Sequence, residues 1–479
     1  MVVTRISADD AMELAADRRA RPPIQLGALL ELDPDGDGVA DAQEVARVLR
    51  RRLATVPQLG RRLERARWGV GRPHWVRTED EPRVGVVEVD PAGPVAMASG
   101  LQGTTPRAGE RRLLDHFADM VTTRLPPDRP LWRAEVLADA RGRPLGVALV
   151  AHHVVTDGIG GLSLLDVLAD PVADAVADSL LPTTGAPPAT GAPPVAGMRP
   201  TAGVQPASRA GAATGDVGRR TRGQRLRRVL WAARELGIRR TQLADRCSLL
   251  QPTGPWRRLE VVDVELARVK AVAGTLDATV NDVVLLVVSG ALTRLLEHRH
   301  DRVRTLVASV PVSAREAGRE LGNAVAVLPV RIPAVGDPQV RLKAIRAAKA
   351  RLAEGRRGSS SALLGPAFRL LATVGAVQWF VTHQRLVHTF ETNVRGPVRQ
   401  LSVAGAPVRR IVPMAVNPGN VTVSFGILSA GGRLVLAVVT DPDHVPDHEV
   451  LVDAVTAELD LLLGREARAA RGEGEGAGR

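Results

Sequence analysis

The sequence is poor in several residue types, and each shortage excludes a class of protein. Its 479 residues include no Tyr, 5 Phe, 6 Trp and a single cysteine, Cys247. One cysteine cannot form an internal disulfide, so a disulfide-stabilised secreted domain is excluded and a reducing compartment is expected. No spacing of cysteine and histidine resembles a zinc site, and we predict no metal centre.

Long apolar runs are missing as well. The most apolar run, residues 280–296, is interrupted by Asn281, Asp282 and Arg294, whereas a membrane-spanning helix needs about 20 consecutive apolar residues. The N-terminus shows no basic segment followed by an apolar run, so no signal peptide is expected. We therefore expect a cytoplasmic protein, with peripheral contacts to the inner membrane or to lipid droplets as a further hypothesis.

Acidic residues are the minority among the charged side chains. The formal net charge is +12, from 64 Lys+Arg against 52 Asp+Glu. Lys is scarce and Arg abundant, a bias typical of a GC-rich genome, so the positive charge does not indicate a nucleic-acid partner, and none is predicted. A basic chain is still attracted to anionic lipid and to ligands that carry phosphate.

Two segments of globular composition flank a segment rich in Pro, Ala, Gly and Thr. Residues 182–222 contain few large apolar side chains, so we predict a flexible linker there. The predicted organisation is an N-terminal domain over residues 1–181 and a C-terminal domain over 223–464. A disordered tail is predicted over 465–479.

Hydrophobic periodicity predicts both strands and helices on each side of the linker. In the first part, residues 24–32 and 145–150 are expected to form strands, and 41–53 an amphipathic helix. The second part is expected to contain one long helix and five strands: helix 280–299 and strands 257–264, 303–312, 324–332, 421–428 and 434–439. Because these elements do not follow a regular βαβ repeat, the predicted fold class is α/β of the mixed α+β kind.

One short motif combines residues that can carry chemistry. It is the run His152-His153-Val-Val-Thr-Asp157-Gly158, directly after an apolar strand. The two-residue period of a strand places His152 and His153 on opposite sides, so that one imidazole can act while the other braces it. Asp157 can cap the following helix or pair with a cation, and Gly158 supplies backbone freedom. The structural alternative is a pair of core histidines beside a capping aspartate.

This run resembles the HHxxxDG signature of the coenzyme A-dependent acyltransferase superfamily, which includes chloramphenicol acetyltransferases and peptide-synthetase condensation domains. Four further segments resemble the bacterial wax ester synthase/diacylglycerol acyltransferase family, in its order and spacing from about Ile6 to about Leu463. They are Pro130-Leu131-Trp132 (its PLW element), Asn281-Asp282-Val283-Val284-Leu285 (its NDVVLA helix start), Val310-Pro311-Val312-Ser313-Ala314-Arg315 with Gly322-Asn323 (its PVS-R and GN stretch), and Thr392-Asn393-Val394-Arg395-Gly396-Pro397 (its SNVPGP stretch, with Arg395 in place of proline).

The resemblance implies a fold and an activity. The fold would have two chloramphenicol acetyltransferase-like lobes, each a mixed sheet flanked by helices, with an active-site tunnel between them. The activity would be transfer of a long acyl chain from acyl-coenzyme A to a fatty alcohol or diacylglycerol, giving wax ester or triacylglycerol, with no tightly bound cofactor. The first alternative is a condensation-type transferase that uses a carrier-protein thioester and a specialised acceptor. The second is a catalytically idle lipid-binding protein on the same fold.

The resemblance also implies roles for the residues of the motif. His153 would be the general base and His152 a scaffold residue, with Asp157 and Gly158 shaping the turn. Superfamily members pair this aspartate with an arginine, and Arg315 is the candidate partner by its position in the PVS-R stretch. The alternative is that Arg315 is an ordinary surface arginine.

Five more residues are candidate substrate contacts. Asn281 and Asp282 either cap the N-terminus of the predicted helix or shape the acyl tunnel. Asn393 and Gly396 are expected in a crossover loop that covers the cleft. Trp132 is the fifth candidate, although a packing role suits it better.

Two other patterns have both a functional and a structural interpretation. Asp33-Pro-Asp35-Gly-Asp37-Gly38 with Glu44 matches the spacing of a calcium loop. However, the preceding segment is predicted as a strand, and an ordinary acidic strand-to-helix connection is the alternative. Residues 224–240 form a predicted basic amphipathic helix, which would either lie on anionic lipid or bridge the two domains.

Overall fold

The computed structural model describes residues 4–18, 20–35, 39–64, 73–78, 81–89, 108–155, 164–171, 243–313, 325–354, 376–416 and 419–472. Several predicted features lie outside these residues: the linker 182–222, the basic segment 224–240, and Asp157, Gly158 and Arg315 of the predicted site.

The described elements before the linker are seven strands and three helices. They are β1 (Thr4–Arg5), α1 (Ala8–Asp17), β2 (Gln25–Leu32), α2 (Ala42–Ala54), β3 (Arg61–Glu64), β4 (His74–Arg77), β5 (Val84–Glu88), α3 (Ala108–Thr122), β6 (Trp132–Ala138) and β7 (Pro144–His152).

After the linker, longer helices accompany a second set of strands. These elements are β8 (Arg258–Glu265), α4 (Leu266–Thr275), α5 (Val280–His298), β9 (Thr305–Ser313), β10 (Val325–Pro333), α6 (Pro338–Glu354), α7 (Val377–His383), β11 (Thr389–Arg395), β12 (Ser402–Val403), β13 (Ala406–Ala415), β14 (Val423–Ala430), β15 (Arg433–Thr440) and α8 (His448–Gly472).

Twelve of these strands build two six-stranded sheets, and the other three form a small sheet of order β1-β4-β3. The first has the order β12-β13-β2-β7-β6-β5, and the second has the order β10-β9-β11-β14-β15-β8. Each sheet contains parallel and antiparallel neighbours, such as parallel β5–β6 beside antiparallel β6–β7. The predicted mixed α/β class, with sheets flanked by helices, is confirmed.

Strand β7 lies inside the first sheet and is buried on both faces. Val147, Leu149 and Ala151 belong to the apolar cluster that includes α2. Ala148 and Val150 belong to a different cluster, which also contains residues of α3 and of the second sheet. This burial on both sides explains the continuous apolar run that precedes the histidines.

The C-terminal half of the chain completes the first sheet. Strand β13 pairs with β2 in antiparallel register, with Met414 opposite Gly27. Strand β13 belongs to the segment 223–464, which was predicted to form a separate C-terminal domain. Arg410 on β13 pairs with Glu31 on β2 (2.8 Å) and with Glu110 on α3. The two lobes are therefore interleaved, because a strand from one finishes the sheet of the other.

Helix α8 continues beyond the predicted end of the second domain. It reaches Gly472 and so runs into the segment 465–479 for which no ordered structure was predicted. Within the described residues no single helix has the length and apolar composition to cross a membrane. The helices Leu266–Thr275 and Val280–His298, which are bent by 93° relative to each other, reach the length and apolar composition of a membrane-spanning segment only if they are counted together.

One buried carboxyl group of the second sheet lacks a hydrogen-bond partner among the described residues. Glu391 on β11 is fully buried, and its register partner Phe425 belongs to the apolar core. Neither of its carboxylate oxygens has a hydrogen-bond partner among the described residues. Burial raises the pKa of Glu391 to about 8, so the fold accommodates the neutral acid.

The stability of the protein should therefore fall as the pH rises. The folded state retains a proton on Glu391 that the unfolded chain releases near the ordinary glutamate pKa of 4.5. The free energy of unfolding therefore decreases as the pH rises from about 4.5 to about 8. Glu391→Gln, which cannot ionise, should be more stable than the wild type above pH 8 by a few kcal/mol, since one pKa unit corresponds to about 1.4 kcal/mol. Urea unfolding at pH 6 and pH 9 measures this, with the exposed Glu297→Gln as control. If the free energies of unfolding of wild type and variant differed by the same amount at pH 6 and pH 9, the prediction would be contradicted.

Candidate active site

The histidine pair lies where β7 ends. The backbone N–H of His152 donates to the carbonyl oxygen of Leu131 (2.9 Å), and that of His153 donates to the carbonyl oxygen of Ile24 (3.2 Å). The two neighbouring segments of the first sheet thus fix the backbone of the motif on both sides. The side chains differ in access, because the His152 side chain is 5% exposed and that of His153 is 31% exposed.

Helix α1 brings two carboxylates to this pair. Oε2 of Glu13 lies 3.2 Å from Nδ1 of His153, and Oδ2 of Asp17 lies 3.5 Å from Nε2 of His152. Residues four apart share one face of a helix, so a single helix face holds both imidazoles. The ring of His152 is fixed further because its Nδ1 accepts the N–H of Val154 (3.2 Å).

Asp17 is the anchor of this arrangement. Its Oδ1 accepts the N–H of Ile24 (2.7 Å), and Oδ2 pairs with Arg124. Arg124 also donates to the backbone carbonyl oxygens of Asp17 (2.9 Å) and Ala20 (3.0 Å). Burial acts to raise the pKa of Asp17, but His152, the Ile24 N–H and Arg124 together lower it. Asp17 is therefore a buried anion that ties the end of α1 to the histidine strand.

Neither carboxylate was among the predicted site residues, because no helix was predicted over residues 8–17. The helix begins with a capping box in which Ser7 and Asp10 bond each other's backbone N–H. The spacing of these two residues is the sequence signal that could have located the helix.

The segment that resembles the PLW element supports the motif strand. Trp132 lies opposite Ala151 in the register of β6 and β7, and it is buried in the apolar cluster with α2. Its indole N–H donates to the carbonyl oxygen of Leu59 (2.8 Å). In this structure Trp132 therefore packs beneath the motif, and the adjacent Leu131 carbonyl holds the His152 backbone.

The structure brings Asn281 and Asn393 together. Nδ2 of Asn393 donates to Oδ1 of Asn281 (2.8 Å), so the first turn of α5 is joined to β11. The expectation that Asn393 belongs to a crossover loop is wrong, because it lies within strand β11. The segment that does cross to the first sheet follows it, as β12 and β13.

Asp282 stabilises the start of α5, but it is not the N-cap. That position is Thr279, which forms a capping box with Asp282. Asp282 also accepts a bond from Nζ of Lys349 (2.7 Å). Burial acts to raise its pKa, and the bonds from Lys349 and Thr279 lower it overall. These contacts assign Asp282 to holding α5 against α6.

Gly396 follows β11 directly and lies against the end of β14. Its N–H donates to the carbonyl oxygen of Ser429 (2.7 Å). A Cβ atom at this position would lie 3.0 Å from the same oxygen and 3.1 Å from the Cβ of Ala430. A side chain here would push the neighbouring backbone away by a few tenths of an ångström, so glycine suits this close approach.

The acidic segment that matches a calcium loop connects β2 with α2. A calcium loop of this kind joins two helices, whereas here a strand precedes the segment. Glu44 is engaged by Arg47, and Asp35 by Arg143 (3.1 Å). Residues 36–38, at the centre of the pattern, lie outside the described residues. In the part of the chain that the structure describes, no group of three or more His, Cys, Asp or Glu side chains is placed to hold a metal ion.

The single thiol is unsuited to nucleophilic attack. Burial raises the pKa of Cys247 to about 11, so the thiol stays protonated at neutral pH, and the thiolate is the reactive form.

Comparisons with known proteins agree on one family. The family model described as the wax ester synthase/diacylglycerol acyltransferase catalytic domain matches residues 101–284. The model of the WS/DGAT C-terminal domain matches residues 321–463. Together the two models cover more than half of the chain.

A relative and two solved structures show the same relation. A Mycobacterium tuberculosis protein named "Probable diacylglycerol O-acyltransferase" is 28% identical over 468 residues, which covers 94% of each chain. The wax ester synthase/diacylglycerol acyltransferase from Marinobacter aquaeolei superposes with a TM-score of 0.65 at 20% identity, covering 96% of this chain and 100% of that one. The first condensation domain of the calcium-dependent antibiotic synthetase gives 0.56 at 19% identity, covering 96% and 97%. The two-lobed chloramphenicol acetyltransferase-like fold is thereby confirmed.

We expect Asp17→Asn to destabilise the fold. The substitution removes the anion that pairs with Arg124 and faces His152, and the unfolding free energy at pH 7 should fall by about 1–3 kcal/mol. A carboxylate with a lowered pKa contributes stability above its unfolded value, 3.8, and this contribution is lost as the pH falls through the folded value. The difference between wild type and variant should therefore shrink on acidification towards pH 3.

Urea unfolding over a pH series measures this difference. Asp128→Asn is the control, since Asp128 is exposed. If Asp17→Asn were as stable as the wild type at pH 7, Asp17 would not anchor α1.

Proposed function

This chain belongs to the wax ester synthase/diacylglycerol acyltransferase family, and on that premise we propose which acyl transfer it performs. The chain is an acyltransferase, as its family is. The proposed reaction moves a long acyl chain from acyl-coenzyme A to a fatty alcohol or diacylglycerol, and its product is a wax ester or triacylglycerol.

The observation that carries the proposal is the difference between the two histidines. The His152 side chain is 5% exposed and the His153 side chain is 31% exposed, at the end of a buried strand. A general base must come within hydrogen-bond distance of its substrate. Access therefore favours His153 as the base, and the buried His152, next to Asp17, as its support.

The proposed reaction needs only one proton carrier. A hydroxyl is a weak nucleophile at neutral pH, and the neutral imidazole of His153 takes its proton as the oxygen attacks the thioester carbonyl carbon. The tetrahedral intermediate then collapses with cleavage of the carbon–sulfur bond. The imidazolium returns the proton to the departing sulfur, so the products are the ester and the free thiol of coenzyme A. This route forms no acyl-enzyme and leaves Cys247 unused.

Other residues of the motif are proposed to shape the site. Asp157 and Gly158 would form the turn after the histidines, and Arg315 would pair with Asp157. The bond between Asn281 and Asn393 supports a role for both in shaping the channel for the acyl chain.

A lipid surface is the proposed source of the acceptor. The net charge of +12 favours anionic lipid, and a peripheral position at the inner membrane or at lipid droplets would deliver water-insoluble alcohols to a cytoplasmic enzyme.

The proposal predicts the behaviour of His153→Ala. Thiol release from palmitoyl-coenzyme A, with hexadecanol or a diacylglycerol as acceptor, should fall by about 10²–10⁴-fold, the usual contribution of a general base. The matched control is His298→Ala, an exposed histidine at the end of α5. Equal thiol release by wild type and His153→Ala would contradict the mechanism.

The same assay separates the alternatives. Activity with an acyl-carrier-protein thioester but not with acyl-coenzyme A would indicate a condensation-type transferase. Bound lipid in native mass spectra, without turnover of any donor, would indicate a lipid-binding protein.

A further inference from the structure

We propose that Glu13 is a positioning residue for His153: its carboxylate selects the imidazole tautomer and orientation in which Nε2 faces the acceptor hydroxyl. The inference deepens the proposed function and rests on His153 as the base. Neither the family resemblance nor the motif assigns a role to Glu13.

The first support is the contact itself. Oε2 of Glu13 lies 3.2 Å from Nδ1 of His153, which is within the range of a hydrogen bond between a ring nitrogen and a carboxylate. The two side chains have similar exposure, 28% and 31%, so the pair lies at the border between the core and an accessible surface. This is where a base must meet a substrate.

The second support is that the structure holds Glu13 in place. Helix α1 is capped at its start by Ser7 and Asp10, and its end is tied by Asp17 to Ile24. The carbonyl oxygen of Ile24 in turn accepts the backbone N–H of His153. Glu13 therefore comes from a helix whose far end is bonded to the same backbone that carries the base, which keeps the carboxylate and the ring in register.

The third support is that the two carboxylates of α1 have different surroundings. Asp17 is buried and has Arg124 and the Ile24 N–H as partners, so its charge is used to hold the structure. Glu13 stands one helical turn earlier on the same face and meets the more accessible ring. The geometry assigns anchoring to Asp17 and orientation of His153 to Glu13.

The chemistry of imidazole explains what such a contact achieves. A neutral ring carries its proton on one nitrogen and a lone pair on the other, and the partner of one nitrogen sets the role of the second. With Nδ1–H donated to Glu13, Nε2 carries the lone pair that accepts the hydroxyl proton. The carboxylate also stabilises the imidazolium that forms in the transition state, as a buried aspartate does in serine-hydrolase triads.

The test compares Glu13→Gln with the wild type. The amide keeps the size of the side chain but removes the charge, so kcat should fall about 10–100-fold while KM for acyl-coenzyme A changes less than twofold. Loss of the negative charge favours the neutral ring, so the acidic limb of the kcat/KM profile should shift to lower pH by about one unit. Glu13→Asp, which keeps the charge on a shorter side chain, should retain the position of the acidic limb. Glu297→Gln, an exposed glutamate on α5, is the matched control.

A readout independent of turnover is the NMR titration of the His153 ring, assigned by its absence from the spectrum of His153→Ala. The charged groups that the described residues bring to the histidine pair are Glu13 and Asp17 on α1, His152 on β7, and Arg124, which is paired with Asp17. Because Asp17 and Arg124 stay in place in Glu13→Gln, a fall in the pKa of His153 reports the loss of the Glu13 charge. A purely structural role would lower stability without moving this titration.

The outcomes separate the two proposals. If His153→Ala is inactive but Glu13→Gln has the wild-type kcat, acidic limb and ring titration, the role of Glu13 is overturned and the proposed function stands. If His153→Ala releases thiol as fast as the wild type, the proposed function fails, and the ring titration still decides whether Glu13 sets the charge state of His153.

Discussion

The site depends on one contact between a short helix and the end of a buried strand. Helix α1 presents Glu13 and Asp17 on one face, and each carboxylate meets one of the two histidines. Without α1, each of the two rings would lose the carboxylate that faces it. The apolar strand positions the backbone of the motif, and the carboxylates determine what its side chains can do.

The strand that carries the histidines depends in turn on a distant part of the chain. β7 pairs with β2, and β2 pairs with β13, which lies more than 250 residues further along. Arg410 fastens this crossing strand to Glu31 and Glu110. The two lobes therefore share a sheet, in which β2 alone separates the strand that carries the histidines from β13.

Elements with a strong hydrophobic period could be predicted from the sequence. β7 was located from its continuous apolar run, and α2 was located because its apolar residues repeat with the period of an amphipathic helix. β13 was missed because Pro407, Pro413, Arg409 and Arg410 interrupt its apolar pattern. α1 was missed because it has few large apolar residues and only its capping box identifies it.

The candidate site was predictable only in its local part. The two histidines and their opposite orientations follow from one continuous run of the sequence. Their partner Glu13 lies 140 positions away, and no local pattern indicates which acidic residue will meet a ring after folding. The same limit applies to Asn281 and Asn393. The family resemblance indicated both residues, but it did not predict the hydrogen bond between them.

The most direct test of the central claim is a crystal structure with an unreactive thioether analogue of acyl-coenzyme A and a long-chain alcohol. The account predicts the alcohol oxygen within about 2.6–3.2 Å of Nε2 of His153, with Nδ1 still bonded to Glu13. An alcohol bound where the ring of His153 cannot reach its oxygen would contradict the account.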